Sequence, residues 1–151
     1  MEAEFMALAL AEARLAFEAG EVPVGAVVVR EGRVIARAHN LRERRRDPLA
    51  HGELLALREA AAQKGDWRLG DCTLYVTLEP CPMCAGALVM AQLGRLVFGA
   101  FDPQQGCCGS VYDFCHDPAF HHHPQVSGGL MEEACQGLLT AFFARKRQRK
   151  D

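Results

Sequence analysis

The order of apolar segments in this sequence predicts an α/β fold, a single mixed sheet with helices on both faces. Three observations carry that expectation. Segments with helical spacing of apolar residues alternate with short runs of β-formers, in the order α-β-β-α-β-α-β and then a closing α. The chain has 151 residues, half of them apolar, which suits one core and not two. No internal repeat or long linker divides it, so residues 1–151 read as one domain with a basic tail from about residue 145.

Each element has its own justification. Phe5 to Ala19 reads as an amphipathic helix, because Met6, Leu10, Ala13 and Phe17 recur at helical spacing. Gly20 is its expected stop. Val24 to Val29 reads as a buried strand around Gly25-Ala26. Glu31-Gly32 is a short turn, and Val34 to Ala38 is the hairpin partner. Leu41 to Pro48 follows as a basic loop, with arginine at positions 42, 44, 45 and 46. The next helix runs from about His51 to Gln63, with Leu54, Leu55, Leu57 and Ala61 as its expected buried face. If both are helical, His51 and Glu53 point about 200° apart, so they share a site only where the helix end points into it.

Thr73 to Leu78 is rich in β-formers and reads as the central strand. Pro82 suits the first turn of a helix reaching about Gln92. Arg95 to Ala100 is a further apolar strand, broken by Asp102-Pro103. A loop-rich stretch continues to Gly129. Met131 to about Arg147 closes the chain as a helix, with Ala134, Leu138 and Phe142 one turn apart.

Composition narrows the setting. The first residues, Met1-Glu2-Ala3-Glu4, are acidic where a secretory leader is basic. No apolar run approaches the ~20 residues that span a bilayer, so no membrane partner is expected. The seven cysteines show no disulfide framework. A reducing, cytoplasmic setting is therefore expected, with Cys72, Cys107, Cys108, Cys115 and Cys135 as small packing residues. Net charge is −2, so the whole-protein field does not announce a nucleic-acid partner. The Arg42–Arg46 loop and the Arg145–Lys150 tail are the local exceptions.

The chemistry concentrates in Pro80-Cys81-Pro82-Met83-Cys84 and, about 30 residues earlier, His51-Gly52-Glu53. Two cysteines two residues apart can grip one metal ion from a single helical turn. A C-x-x-C alone reads equally as a redox dithiol; the upstream His-x-Glu favours metal. One histidine and two thiolates make three zinc ligands, the catalytic count that leaves the fourth position for water. Sulfurs near a helix N-terminus are also favoured as thiolates. Glu53 suits the proton shuttle such a water needs, although a first-turn glutamate is also ordinary. His-x-Glu followed by Pro-Cys-x-x-Cys is the established signature of zinc-dependent nucleobase deaminases.

Other residues divide between bland and functional readings. His116, the His121–His123 run, Cys107 and Cys108 are conceivable fourth ligands of a structural zinc, the histidine run reading better as an exposed loop. His39, at a strand end, reads as structural. Asn40 is either a turn residue or a donor–acceptor pair for a base or ribose. Asp102 is either a turn former or a contact to substrate.

The segments Glu21 to Ala26, Asp47 to Glu53, Thr73 to Ala87, Phe98 to Asp102 and Leu138 to Phe143 resemble the bacterial tRNA-specific adenosine deaminases, in register over nearly the whole chain. That resemblance implies a cytidine-deaminase-like three-layer α/β/α fold with a mixed five-stranded sheet, and a homodimer. It implies hydrolysis of adenosine to inosine at the wobble position of tRNA, an arginine tRNA, by a zinc-bound hydroxide. Carried over, His51, Cys81 and Cys84 hold one Zn2+ per subunit and Glu53 shuttles protons. Asn40 would contact the flipped nucleotide, Val24 would line the base pocket, and Asp102 and Phe143 would contact anticodon nucleotides. One departure lies inside the motif: Gly52 stands where the family usually has alanine, which lowers helix propensity by up to about 1 kcal/mol and is expected to loosen Glu53.

The two basic segments are expected to hold phosphates of an anticodon stem-loop. The competing readings are a free-base or nucleoside deaminase acting on guanine, cytosine or cytidine, a non-catalytic zinc-binding subunit, and a redox dithiol protein. Glu53 argues against the non-catalytic subunit.

Overall fold

The computed structural model describes residues 1–150. Asp151, the last residue of the expected domain, lies outside the described residues. The elements are α1 (Glu2–Glu18), β1 (Gly25–Arg30), β2 (Arg33–His39), α2 (Arg42–Arg45), α3 (Gly52–Lys64), β3 (Cys72–Leu78), α4 (Pro82–Met90), β4 (Arg95–Ala100), β5 (Gln125–Gly128) and α5 (Glu132–Lys150), with a 3-10 turn at Phe114–His116. The sheet order is β2-β1-β3-β4-β5. β1 pairs antiparallel with β2 and β3, whereas β3–β4 and β4–β5 are parallel. This is the mixed five-stranded sheet that was expected, with β3 at its centre.

Both sheet faces are buried, and the strand period of two sorts the residues between them. Ala26, Val28, Leu74, Val76, Leu96 and Phe98 face one core, packed on Ala56, Leu57 and Ala60 of α3 and Ala85 and Leu88 of α4. Val27, Val29, Tyr75 and Val97 face the other, against Met6 and Leu10 of α1 and Cys135 and Leu139 of α5. The result is three layers, α/β/α. Phe98 is among the largest fully buried side chains; trimming it to alanine would cost about 3–5 kcal/mol. β1 lies so close to α1 that a Cβ on Gly25 would stand 2.0 Å from the carbonyl oxygen of Ala9, so only glycine fits there. The stop after α1 is as expected: Gly20 is left-handed, and its N–H and that of Glu21 close back onto Phe17 and Ala16.

Four expectations need correction. The Arg42–Arg46 segment is not a plain loop. Arg42–Arg45 forms one helical turn that ends on a left-handed Arg46, and all four arginines are exposed. The buried face of α3 is Gly52, Glu53, Ala56, Leu57 and Ala60, while Leu54, Leu55 and Ala61 are only half-buried. The stretch before Gly129 contains the fifth strand, Gln125–Gly128, which pairs with β4. The closing helix buries Phe142 as expected, but Cys135 and Leu139 are buried in place of Ala134, which is exposed, and Leu138, which is half-buried. It continues through Lys150, so the basic tail is helical.

Candidate active site

Two helix N-termini meet at the site. His51 is the N-cap of α3 and Cys81 the N-cap of α4, both with extended backbone. His51 is therefore not helical, and the expected 200° divergence from Glu53 does not arise: the extended cap turns the imidazole toward α4. Cys84 lies one turn into α4 and is fully buried. The Nδ1 atom of His51 stands 3.6 Å from Cys81 Sγ and 3.4 Å from Cys84 Sγ.

Those distances suit a shared ion. With Zn–S of about 2.3 Å and Zn–N of about 2.0–2.1 Å, a tetrahedral centre sets nitrogen and sulfur about 3.5 Å apart. The three donor atoms all lie within 4.8 Å of one another. They are the one cluster of three or more such donors found among the described residues; Cys107, Cys108, His116 and the His121–His123 run are not part of it. His122 and His123 instead bond the carbonyls of Leu93 and Asp117. None of that set stands with the three donors as a fourth ligand among the described residues.

The electrostatics suit the same occupant. The neighbouring Cys84 thiol, with His51 alongside, draws the Cys81 thiol down to about 4. The same pairing with Cys81, and burial, push Cys84 up. The hydrogen bond to Cys81 raises His51. Binding a divalent cation displaces these protons and leaves two thiolates and a neutral imidazole. Glu53 sits beside them, 4% exposed, and burial pushes its carboxyl up to about 7. Its Oε1 has no hydrogen-bond partner, the one buried side-chain polar atom so placed among the described residues. A buried carboxylate oxygen costs free energy unless something fills its reach, so the donor set and this orphaned atom both fit a zinc ion and a polar reactant.

A cavity of about 550 Å³ opens over these groups. His51, Glu53 and Cys81 form its base. All four residues expected to meet substrate also line it. Val24 is buried at one side and Phe143, 41% exposed, stands at the mouth. Asn40 is 5% exposed, and its Oδ1 accepts the Gly52 N–H at 2.8 Å, which leaves its amide nitrogen to offer a ligand. Asp102 is visibly a turn former: its Oδ1 accepts the N–H groups of Gln104 and Gln105. His39 bonds Glu12 at 3.0 Å, the structural role expected for it. A Cβ on Gly52 would sit 3.1 Å from His39 Cα and 3.3 Å from the Val24 carbonyl oxygen, so glycine here lets α3 lie close against the ends of the hairpin.

Arg42 and Arg147, one from each of the two basic segments expected to meet phosphate, stand at the rim. Sequence reasoning passed over Gln104, Gln105, Gln136 and Thr140, which add polar groups. Two buried glutamates behind the walls, Glu21 and Glu79, also went without a role. Their signal was an acidic residue set within an apolar stretch with no cation at helical or strand spacing.

Comparison with known proteins agrees with this geometry. Residues 2–122 match the family model of MafB19-like deaminases. A tRNA-specific adenosine deaminase of Bacillus subtilis is 51% identical over 146 residues, covering 97% of this chain and 91% of the relative. A solved structure from work on A-to-I editing by tRNA:A34 deaminases at the wobble position of transfer RNA superposes with a TM-score of 0.87 at 47% identity, covering 90% of this chain and 99% of the other. A guanine deaminase from Nitrosomonas europaea superposes with a TM-score of 0.83 at 25% identity, covering 95% and 85%.

Proposed function

This chain belongs to the tRNA-specific adenosine deaminases, hydrolases that form inosine from adenosine at the wobble position of tRNA, and we propose that His51, Glu53, Cys81 and Cys84 carry that reaction in it. The fold is the cytidine-deaminase-like α/β fold of these enzymes. The observation that carries the assignment of residues is the unpartnered Oε1 of Glu53 beside a His-Cys-Cys donor set.

His51 Nδ1 and the two sulfurs would hold one zinc ion per subunit. Bound there, zinc supplies Lewis acidity that brings a coordinated water from a pKa of about 16 to about 7. Every other step belongs to the protein. Glu53 takes the proton of the water that attacks C6 of adenine and delivers it to ring N1. It then carries a second proton to the departing ammonia. Proton transfer by a positioned group of this kind is worth about 10²–10⁴-fold. Val24 closes one side of the base, and the Asn40 amide would meet the flipped nucleotide. Phe143 and Asp102 would meet its neighbours in the anticodon loop, in a cavity open enough to admit a splayed base.

The same reading makes the substrate an arginine tRNA and the assembly a homodimer. Its setting is the cytoplasm, consistent with seven free cysteines. No helix among the described residues is long and apolar enough to cross a membrane. Arg42 and Arg147 at the cavity rim favour a nucleotide within a polyanion over a free guanine or cytosine. The test is inosine formation at the wobble adenosine of an arginine tRNA anticodon stem-loop, with wild type beside Glu53→Ala. Activity in the wild type that vanishes in the variant, with metal content unchanged, is the expected result. A silent wild type that deaminates guanine would overturn the choice of substrate.

A further inference from the structure

Two carboxylates outside the reaction hold the two sides of the cavity. Glu79 is 1% exposed and directly precedes Pro80-Cys81. Its Oε1 accepts the N–H of Asp102 at 3.0 Å and the hydroxyl of Ser110. Its Oε2 accepts the N–H groups of Cys108 at 3.1 Å and Ser110 at 3.0 Å. Every one of these partners belongs to the loop after β4, whose residues Phe101 to Gln105 form one wall. The packing is tight: a Cβ on Gly106 would stand 2.3 Å from Glu79 Cδ.

Glu21 does the corresponding work on the opposite side. It too is 1% exposed, and its oxygens accept the N–H groups of Glu43 at 3.0 Å and Arg44 at 2.8 Å. That fixes the single turn of α2, which presents Arg42 to the cavity. Among the described residues neither glutamate forms an ion pair. A carboxylate buried against neutral donors, with no cation beside it, is an expensive way to stabilise a fold, because burying its charge offsets most of the gain. What it supplies that an apolar side chain cannot is a fixed conformation for segments with no regular hydrogen-bonding partner of their own.

We propose that Glu21 and Glu79 are positioning residues for RNA binding, which hold the Arg42 turn and the Phe101–Gln105 wall at the spacing the nucleotides flanking the target adenosine require. The inference rests on the wobble-adenosine reading above. The reacting groups lie on α3 and α4, which are seated on the sheet by their own apolar residues, Ala56, Leu57 and Ala60 of α3 and Ala85 and Leu88 of α4. Loosening a wall therefore weakens substrate binding and leaves the chemical step intact.

Substitution by glutamine tests this. In Glu79→Gln the amide settles where Oε1 was, since there the Ser110 hydroxyl can turn to accept, and the Asp102 N–H is orphaned. In Glu21→Gln one of two backbone bonds is lost. We expect KM for the anticodon stem-loop to rise about three- to tenfold in each, the effect of one hydrogen bond, with kcat within twofold of wild type and zinc content unchanged. Glu21→Gln should also flatten the dependence of log KM on log salt, because Arg42 no longer meets its phosphate. If Glu79→Gln does not accumulate folded, Ser110→Ala decides: about a twofold rise in KM at constant kcat supports the proposal, and an unchanged KM overturns it. A fall in kcat matching the rise in KM, loss of zinc, or an unchanged KM in both glutamine variants also overturns it. A wild type that forms no inosine brings down the underlying reading and this one with it; an active wild type with unchanged variants brings down this one alone.

Discussion

Asn40 holds the start of α3 and is proposed to meet the substrate as well, and one pair of substitutions separates the two roles. Its Oδ1 takes the N–H of Gly52, the first residue of α3, at 2.8 Å. The residue is 5% exposed, so water replaces that acceptor poorly. Asn40→Ala leaves the donor unpaired, which costs about 1–3 kcal/mol; a mid-range 2 kcal/mol lowers Tm by roughly 4–8 °C in a chain of this size. Asn40→Asp keeps the acceptor, and a carboxylate at a helix N-terminus is favoured, so Tm should stay within about 2 °C of wild type. The aspartate lacks the amide N–H that would hold the flipped nucleotide. Losing one such hydrogen bond should lower kcat/KM about 10- to 100-fold. The assays are thermal unfolding and inosine formation on an anticodon stem-loop. An Asn40→Asp enzyme that stays within threefold of wild-type kcat/KM would refute the substrate contact and leave Asn40 as a prop for α3.

Three further outcomes follow from the site. Cys81→Ser should lose stoichiometric zinc on metal analysis and lose inosine formation with it, whereas a redox dithiol protein would carry no zinc to lose. Reversing the charges of the Arg42–Arg46 turn and of the Arg145–Arg149 helix end together should weaken tRNA binding and flatten its salt dependence, measured by titration at several salt concentrations; unchanged affinity would exclude them as phosphate contacts. Gly52→Ala should change stability by no more than about 1 kcal/mol on denaturant titration. Its gain in helix propensity is opposed by a Cβ only 3.1 Å from His39 Cα, and a loss beyond about 2 kcal/mol would show that the hairpin end cannot give.

What the sequence made legible is instructive at particular residues. β3 and β4 were readable to within one residue because continuous apolar runs such as Leu96-Val97-Phe98 have one economical use, a strand buried on both faces. β5 was not, because Gln125-Val126-Ser127-Gly128 has a single large apolar residue and exists as a strand through its pairing with β4. α3 misled through Leu54 and Leu55: its close approach to the sheet admits small residues, and the leucines are pushed to the flank. In α5 the phase is set from outside, since Cys135 fills the space left by Gly99, where a Cβ would lie 2.3 Å from its sulfur. The candidate metal ligands stood out because zinc chemistry demands those residue types at that spacing. Glu21 and Glu79 did not, because apart from the Ser110 hydroxyl their partners are backbone N–H groups, which every residue except proline carries.

The meeting of two helix caps also bears on the order in which the molecule forms. Cys81 and Cys84 are neighbours in any conformation of the chain, but His51 joins them only once α3 and α4 are seated side by side on one sheet face. That seating requires β1 and β3 to have paired, with Ala26 opposite Val76, a closure across 50 residues. Contacts of such long range are the slow ones in a folding reaction. A nascent chain thus lacks the assembled set of three donors, and uptake of zinc at this site would mark the moment at which the central pairing has closed.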